Sequence, residues 1–162
     1  MKKTLSIPLA ALLLCALFLG GCGSETATQK DLSVDELSGA VLEAIGMTDT
    51  MVDTTGVVVE GYMHLSADQF GDCAVYHNSY GTGVDEFGIF KAGTLKAAEV
   101  KSAVEDYLDM MRETSMASMY TPEELPKLDG AEVRAVGDYV MYCVLSDANR
   151  DAAFKAFEAA LK

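Results

Sequence analysis

The stretch that decides the fold is DCAVYHNSYGTGVDEFGIFKA, which runs from Asp72 to Ala92. Asp72 to Tyr80 is rich in aromatic and β-branched side chains, and this composition predicts a strand. Gly81-Thr82-Gly83 predicts a turn, because glycine adopts backbone angles that other residues avoid. Val84 to Ala92 then predicts the second arm of a β-hairpin.

The second arm of this hairpin has two faces that are both apolar or small. Phe87 and Ile89 lie on one face, and Gly88 and Phe90 lie on the other, because side chains alternate along a strand. A strand at the edge of a sheet, or one with a solvated face, usually alternates with polar residues instead. The pattern therefore predicts a central strand covered on both sides.

A long helix and a second hairpin follow this stretch. Gly93-Thr94 breaks the strand, and apolar residues at helical spacing predict a helix from about Leu95 to Met119. The predicted buried stripe of this helix is Val100, Val104, Tyr107, Leu108 and Met111. Ala131 to Val136 and Tyr139 to Leu145 predict two strands, joined by a tight turn at Gly137-Asp138.

Two more helices flank the hairpins. Val34 to Ile45 has a helical apolar period, Ser33 and Glu36 have the spacing of a capping box, and Gly46 predicts the end of the helix. A terminal helix is predicted after a cap at Ser146 or Asp147. Its buried stripe would hold Phe154, Phe157 and Leu161.

This order of elements predicts one α+β domain over residues 33–162. We expect an antiparallel or mixed sheet of about four strands, built from the two hairpins. The long central helix and the N-terminal and C-terminal helices would pack on this sheet. Met47 to Gly71 is ambiguous, because Val57-Val58-Val59 is compatible with either a short strand or a helical turn.

The N-terminus has the pattern of an export signal. Lys2 and Lys3 precede an apolar run from Leu5 to Leu19, which is short for a membrane-spanning helix of roughly 20 residues. The run ends in Leu19-Gly20-Gly21-Cys22, which resembles the lipobox of bacterial prolipoproteins. The resemblance implies a signal peptide over 1–21 and lipid on Cys22. An uncleaved signal anchor and a secreted chain with a free Cys22 are the alternatives.

The expected location follows from this motif and from the charge. Residues 22–32 are mostly small and polar and predict a lipidated flexible tether, which places the domain on the extracytoplasmic face of the cell membrane. The whole chain has a formal charge of −13; without Lys2 and Lys3 it has 10 basic and 25 acidic residues, a net charge of about −15. This acidity argues against nucleic acid as a partner.

The central strand also carries a family resemblance. Asp85 to Ala92, DEFGIFKA, is similar to the signature strand of exported lipoproteins from Firmicutes that share domain of unknown function 4358. The other matching features are the helix start near Glu99-Val100-Lys101, Tyr120 and Pro122, and Gly137-Asp138-Tyr139-Val140. The resemblance spans roughly Gly71 to Lys162, and Cys73, Cys143 and the turn at 81–83 depart from it. It implies location and fold, and it implies no activity.

The polar group that is the strongest candidate for a functional site in the sequence is Asp85, Glu86 and Lys91. Asp85 and Lys91 share one strand face but lie roughly 20 Å apart, too far for a direct ion pair. Glu86 points to the opposite face. In one interpretation the two acids shape the exit of the turn and Lys91 ends the strand in solvent. In the other, the three form a functional cluster with partners from elsewhere, and Glu86 is the first residue to test.

The cysteines and histidines do not predict a metal site. Cys73 and Cys143 could form a disulfide outside the membrane, or could be two buried free thiols. Cys73 and His77 are about 13 Å apart along a strand, whereas zinc requires ligands about 2 Å from the metal. A nucleophilic pair of Cys143 and His77 across strands is left open. We expect no metal and no cofactor, and no residue is assigned a catalytic role.

The lead hypothesis for function is therefore a non-catalytic binding or interaction module of the cell envelope. Its membrane contact would be the lipid on Cys22, and its partner would be an envelope protein, a wall polymer or a small ligand. The alternative is an enzyme, or an enzyme accessory, that acts on cell-envelope polymers. That alternative rests on the expected location and on Asp85 and Glu86.

Overall fold

The computed structural model describes residues 30–80, 83–113 and 118–162. The predicted signal peptide at 1–21, Cys22 and the tether up to residue 29 lie outside the described residues, as do residues 81–82 of the predicted turn. Within the described ranges, no helix combines the length and the apolar character that crossing a bilayer requires.

The sheet has five strands and is antiparallel throughout, in the order β1-β2-β3-β5-β4. The strands are β1 (Met51–Asp53), β2 (Phe70–Asn78), β3 (Glu86–Ala92), β4 (Glu132–Val136) and β5 (Tyr139–Val144). The predicted α+β domain is confirmed, and the two predicted hairpins supply four of the strands. The fifth strand, β1, was not predicted. It covers three residues of the ambiguous stretch from Met47 to Gly71, and it pairs with the end of β2.

Among the described residues, the regular helices are α1 (Val34–Ile45), α2 (Ala97–Arg112), α3 (Leu125–Asp129) and α4 (Asp147–Ala160). α1 has the predicted bounds, with a capping box between Ser33 and Glu36 and a left-handed Gly46 at its end. The prediction of one helix up to Met119 was wrong. α2 ends at Arg112 because Glu113 has ψ of 144°, an extended angle that cannot continue a helix.

The segment between α1 and β2 contains a π-helix, Val57–Tyr62, and a short 3-10 helix, Ala67–Gln69. Val57-Val58-Val59 therefore forms a helical turn and not the short strand that the sequence also allowed. The π-helix buries Val58 and Val59 and exposes Val57. The short helix α3 was not predicted, because the two prolines near it indicated only the exit from the preceding helix.

β3 lies at the centre of the sheet, between β2 and β5, as its two apolar faces predict. Phe87 and Ile89 pack with α1 and α4, and Phe90 packs on the other face with α2, the π-helix and α3. The sheet is thus the middle of three layers. Each face has its own apolar core, and Glu86 belongs to the α2 face by strand parity.

The chain just before α1 is attached to one end of β3 and β5, in a contact that we call the N-terminal clasp (Asp31, Leu32, Lys91 and Tyr139). The Tyr139 hydroxyl donates to the Leu32 carbonyl at 2.6 Å and accepts from the Leu32 amide at 3.0 Å. Lys91 forms an ion pair with Asp31. The clasp fixes where the N-terminal segment leaves the domain.

Candidate functional site

A cavity of about 340 Å³ opens on the α2 face, at the end of β3 that is opposite the N-terminal clasp. Its walls come from the π-helix, from the beginning of β3 and the end of β2, from α2, and from the segment that follows α2. We call it the Glu86 cavity. Its lining residues are Thr54, Val57, Val58, Tyr62, His77, Gly83, Glu86, Tyr107, Met119 and Tyr120.

Glu86 lies at the base of this cavity and is only 4% exposed. Its Oε1 accepts hydrogen bonds from the hydroxyls of Tyr107, at 2.9 Å, and Tyr142, at 2.6 Å. Its Oε2 lies 3.6 Å from Nδ1 of His77, its cross-strand neighbour. Burying a carboxylate is costly unless donors compensate for the lost water, and here two hydroxyls and an imidazole surround it.

The tyrosine contacts depend on a glycine in the central strand. Gly88 is paired with Tyr142 of β5, and a Cβ at Gly88 would lie 2.4 Å from Cε1 of the Tyr142 ring. That separation is far below any normal contact. The missing side chain therefore leaves the space that the Tyr142 ring occupies, and its hydroxyl reaches Glu86, two residues along β3.

Burial and the nearby carboxylate set the protonation of the surrounding groups. Burial, together with the charge of Glu86, raises the pKa of Tyr107 and of Tyr142, so both hydroxyls keep their protons and remain donors. The polar contact with Glu86 raises the pKa of His77, and partial burial acts in the opposite direction. His77 is thus the group at this site that can change charge near neutral pH.

The structure does not bring Asp85, Glu86 and Lys91, the polar group predicted from the sequence, together at one site. Asp85 pairs with Lys127 of α3 at 2.9 Å. Lys91 lies at the other end of β3, in the N-terminal clasp, and Glu86 is buried on the opposite face. Direct pairing of Asp85 with Lys91 is excluded, as the strand spacing predicted. The interpretation of Glu86 as a residue that shapes the turn exit was wrong, because its carboxylate points inward to Tyr107 and Tyr142.

The structure does not bring the two cysteines together. Cys73 and Cys143 are free thiols on opposite faces of the sheet, with β3 between their strands. Burial raises the pKa of the Cys143 thiol well above its ordinary value, so it stays protonated. His77 shares a face with Glu86, whereas Cys143 points to the α1 face, so these two do not form a nucleophilic pair. Among the described residues, no three His, Cys, Asp or Glu side chains are grouped as metal ligands.

The sequence pointed to Glu86 as a candidate functional residue, but it did not identify Tyr107 and Tyr142 as the hydrogen-bond partners of its carboxylate. Tyr107 was assigned to the buried stripe of a helix, and Tyr142 to an apolar strand. One signal could have connected them: Glu86 shares strand parity with Gly88 and Phe90, so it faces the core. A buried carboxylate there requires donors from the helix above or the strand beside it.

The family of the domain of unknown function (DUF4358) has a model that matches residues 44–145. The match covers well over half of the chain and includes all five strands and every residue of the Glu86 cavity. α4 and nearly all of α1 lie outside it. No curated protein matches the chain, and no solved structure matches it.

Proposed function

We propose that this chain, which belongs to the family of the domain of unknown function (DUF4358), is a lipid-anchored extracytoplasmic module that binds a ligand in the Glu86 cavity. The ligand is a small molecule or a side group of an envelope protein or wall polymer. The domain holds it without changing it chemically. The structure supports the binding part of this proposal, and the sequence motif at Cys22 supports the anchoring part.

The observation that carries the binding proposal is the buried Glu86 carboxylate at the base of a cavity with mostly apolar walls. A carboxylate that served stability alone would cost free energy that an apolar residue of similar size would avoid. Here it remains among the lining residues of a cavity about as large as those that hold small ligands, roughly 300–1,000 Å³. Apolar walls around a few converging polar groups are the usual composition of a binding site.

The polar groups of the cavity favour binding over catalysis. The Tyr107 and Tyr142 hydroxyls stay protonated, so two of the groups that contact Glu86 act as fixed donors, and His77 is the contact that can change charge near neutral pH. Thr54 has the only aliphatic hydroxyl among the described lining residues, and none of these carries a thiol. The described lining residues therefore include no serine or cysteine that an adjacent base could activate.

One observation favours the alternative of an enzyme on envelope polymers. His77 and Glu86 form a carboxylate–imidazole pair at 3.6 Å, and such pairs act as general acids and bases in many enzymes. In that case His77 would transfer a proton to or from a bound polymer. The alternative predicts that the ligand is consumed, whereas the binding proposal predicts that it is recovered unchanged.

The binding proposal can be tested with the methyl group of Met119, which lines the cavity and is 67% exposed. The full chain, carrying ¹³C-methyl methionine, is titrated in a non-ionic detergent with choline, acetate, 3,3-dimethylbutan-1-ol and N-acetylglucosamine. The Met119 signal is assigned with Met119→Leu. We expect at least one probe to shift it saturably and to be recovered intact.

Met51 supplies the internal control, because it is buried in the core on the other face of the sheet. Its signal should not move with the ligand that shifts Met119. If all four probes leave the Met119 signal unchanged up to high millimolar concentration, the Glu86 cavity is not a binding site of the proposed kind. If a probe is chemically altered, the enzyme alternative is correct.

A further inference from the structure

We infer that the Glu86 cavity selects an organic cation, an alkylammonium group that lies beside the tyrosine rings and close to the Glu86 carboxylate. This inference rests on the proposed binding function and names the chemical class of the ligand. The ammonium belongs either to a free small molecule or to a lysine side chain of a partner protein.

The charge of the lining favours a cation. Among the described residues that line the cavity there is one carboxylate, Glu86, and neither lysine nor arginine. The nearby Lys127 is held by Asp85 and Glu124, at 2.9 and 2.8 Å. When His77 is neutral, an entering cation would meet a buried negative charge and an entering anion would be repelled by it, whereas protonated His77 would offset that charge. The net charge of −13 on the chain would also attract cations from solution.

The hydrogen-bonding capacity of the site favours a cation as well. The Tyr107 and Tyr142 hydroxyls both donate their protons to Glu86, so Tyr107, which lines the cavity, can offer a ligand only oxygen lone pairs. A carboxylate accepts hydrogen bonds and donates none when it is ionised. Around Glu86, the carboxylate and the Tyr107 oxygen therefore present acceptors and negative charge to an ammonium. The donors that an anionic ligand would need are left to the His77 imidazole and to the Tyr62 and Tyr120 hydroxyls.

The aromatic walls supply the third argument. The rings of Tyr62 and Tyr107 have centroids 6.4 Å apart and are inclined by 42°, so they pack against each other, and both line the cavity that holds Glu86. Tyr120 contributes a further ring to the lining. Aromatic faces attract cations, and groups of them are the usual recognition surface for quaternary ammonium. Tyr62 is 42% exposed, which leaves its ring reachable from solvent.

Equilibrium dialysis of the full chain in a non-ionic detergent tests the inference with matched pairs of probes. Choline is compared with 3,3-dimethylbutan-1-ol, which has nearly the same shape and no charge. Nα-acetyllysine methylamide is compared with Nα-acetylnorleucine methylamide. We expect at least one cation to bind about tenfold or more tightly than its neutral counterpart. The pair with the larger ratio identifies a small molecule or a lysine side chain as the source.

Variants then test whether the preference for cations arises in the Glu86 cavity. Glu86→Gln keeps the size of the side chain and should reduce cation affinity about tenfold or more, and Glu43→Gln removes the same charge from exposed α1 and should leave it unchanged. If Glu86→Gln does not fold, Tyr62→Leu, at a partly exposed position, should weaken cation binding severalfold. Equal affinities for charged and neutral probes would overturn the inference and leave the binding function standing. An absence of binding by all four dialysis probes would also overturn the inference, and the Met119 titration with acetate and N-acetylglucosamine would then decide whether the binding function stands.

Discussion

Glu86 and His77 show how a charged group is kept inside this protein. The carboxylate is satisfied by two hydroxyls on one oxygen and faces an imidazole from the other. His77 has 30% of its side chain exposed, so it exchanges protons with solvent while it stays next to Glu86. The charge balance of the cavity therefore depends on pH through one residue.

The first prediction concerns this pH dependence. Since the pKa of folded His77 is raised above its ordinary value of about 6.5, protonated His77 stabilises the fold. That contribution is fully present below about pH 6.5 and is lost as the pH rises through the folded pKa. His77→Gln should therefore cost the most stability in the acid range, and its cost should shrink at higher pH, as urea unfolding of both proteins at pH 5.5 to 8.5 would show.

His64 offers the matched control for this comparison, because the structure gives it no contact with Glu86. His64→Gln makes the same side-chain replacement at a position without this contact, and its effect on stability is measured over the same pH range. A cost of His77→Gln that is constant from pH 5.5 to 8.5 would show that His77 and Glu86 are not coupled. These measurements use differences between proteins, so the other titrating groups cancel.

The limits of sequence reasoning are clear at single residues. The parity of Glu86 could be predicted because side chains alternate along a strand, and the separation of Asp85 from Lys91 followed from the strand rise. The partners of Glu86 could not be predicted. Tyr107 is 21 positions away and Tyr142 is 56 away. Whether they meet depends on the register of β3 with β5 and on where α2 crosses the sheet, and local sequence contains neither.

At the scale of elements, the pairing of β3 with β5 is the most tightly constrained contact near the site. Gly88→Ala should destabilise the fold by about 1–3 kcal/mol, because its Cβ would overlap the Tyr142 ring and the core is already full. The loss should appear as a lower urea midpoint. The tyrosine near-UV circular dichroism should also change as the ring moves away from Glu86.

Gly39 provides the control for that substitution. It lies on the exposed side of α1, and a Cβ there would have nothing within 4 Å. Gly39→Ala should stabilise the helix by about 0.5–1 kcal/mol. An unchanged urea midpoint for Gly88→Ala would mean that Tyr142 has room to move and that the glycine does not position it.

Elements with strong local signals were predicted, and those fixed by their surroundings were not. α1 has its own capping box and terminal glycine, and the arms of the first hairpin are long and apolar, so both were predicted with nearly correct bounds. β1 has only three residues and exists because β2 offers an open edge. The π-helix is stabilised by burying Val58 and Val59 against the α2 face, which is a tertiary contact.

At the scale of the whole molecule, the proposed anchor is the feature with the largest consequence. Cys22→Ser should abolish labelling by fatty-acid analogues and release the protein from the membrane fraction, because a lipid with two chains is the proposed attachment. Cys73→Ser is the control, since it removes a free thiol inside the domain and should leave labelling and sedimentation unchanged. If Cys22→Ser stays labelled and sediments with membranes, the chain is attached in another way.

The N-terminal clasp gives the domain an orientation relative to such an anchor. It holds Asp31 and Leu32 against the Lys91 end of β3, while Glu86 lies at the other end of the same strand, roughly 17 Å away. Cys22 is eight residues before Lys30, a reach of at most about 28 Å. With lipid on Cys22, the tether would join the domain at its clasped end, so the Glu86 cavity would lie at the end of β3 farther from the attachment point, where molecules from outside the membrane can reach it.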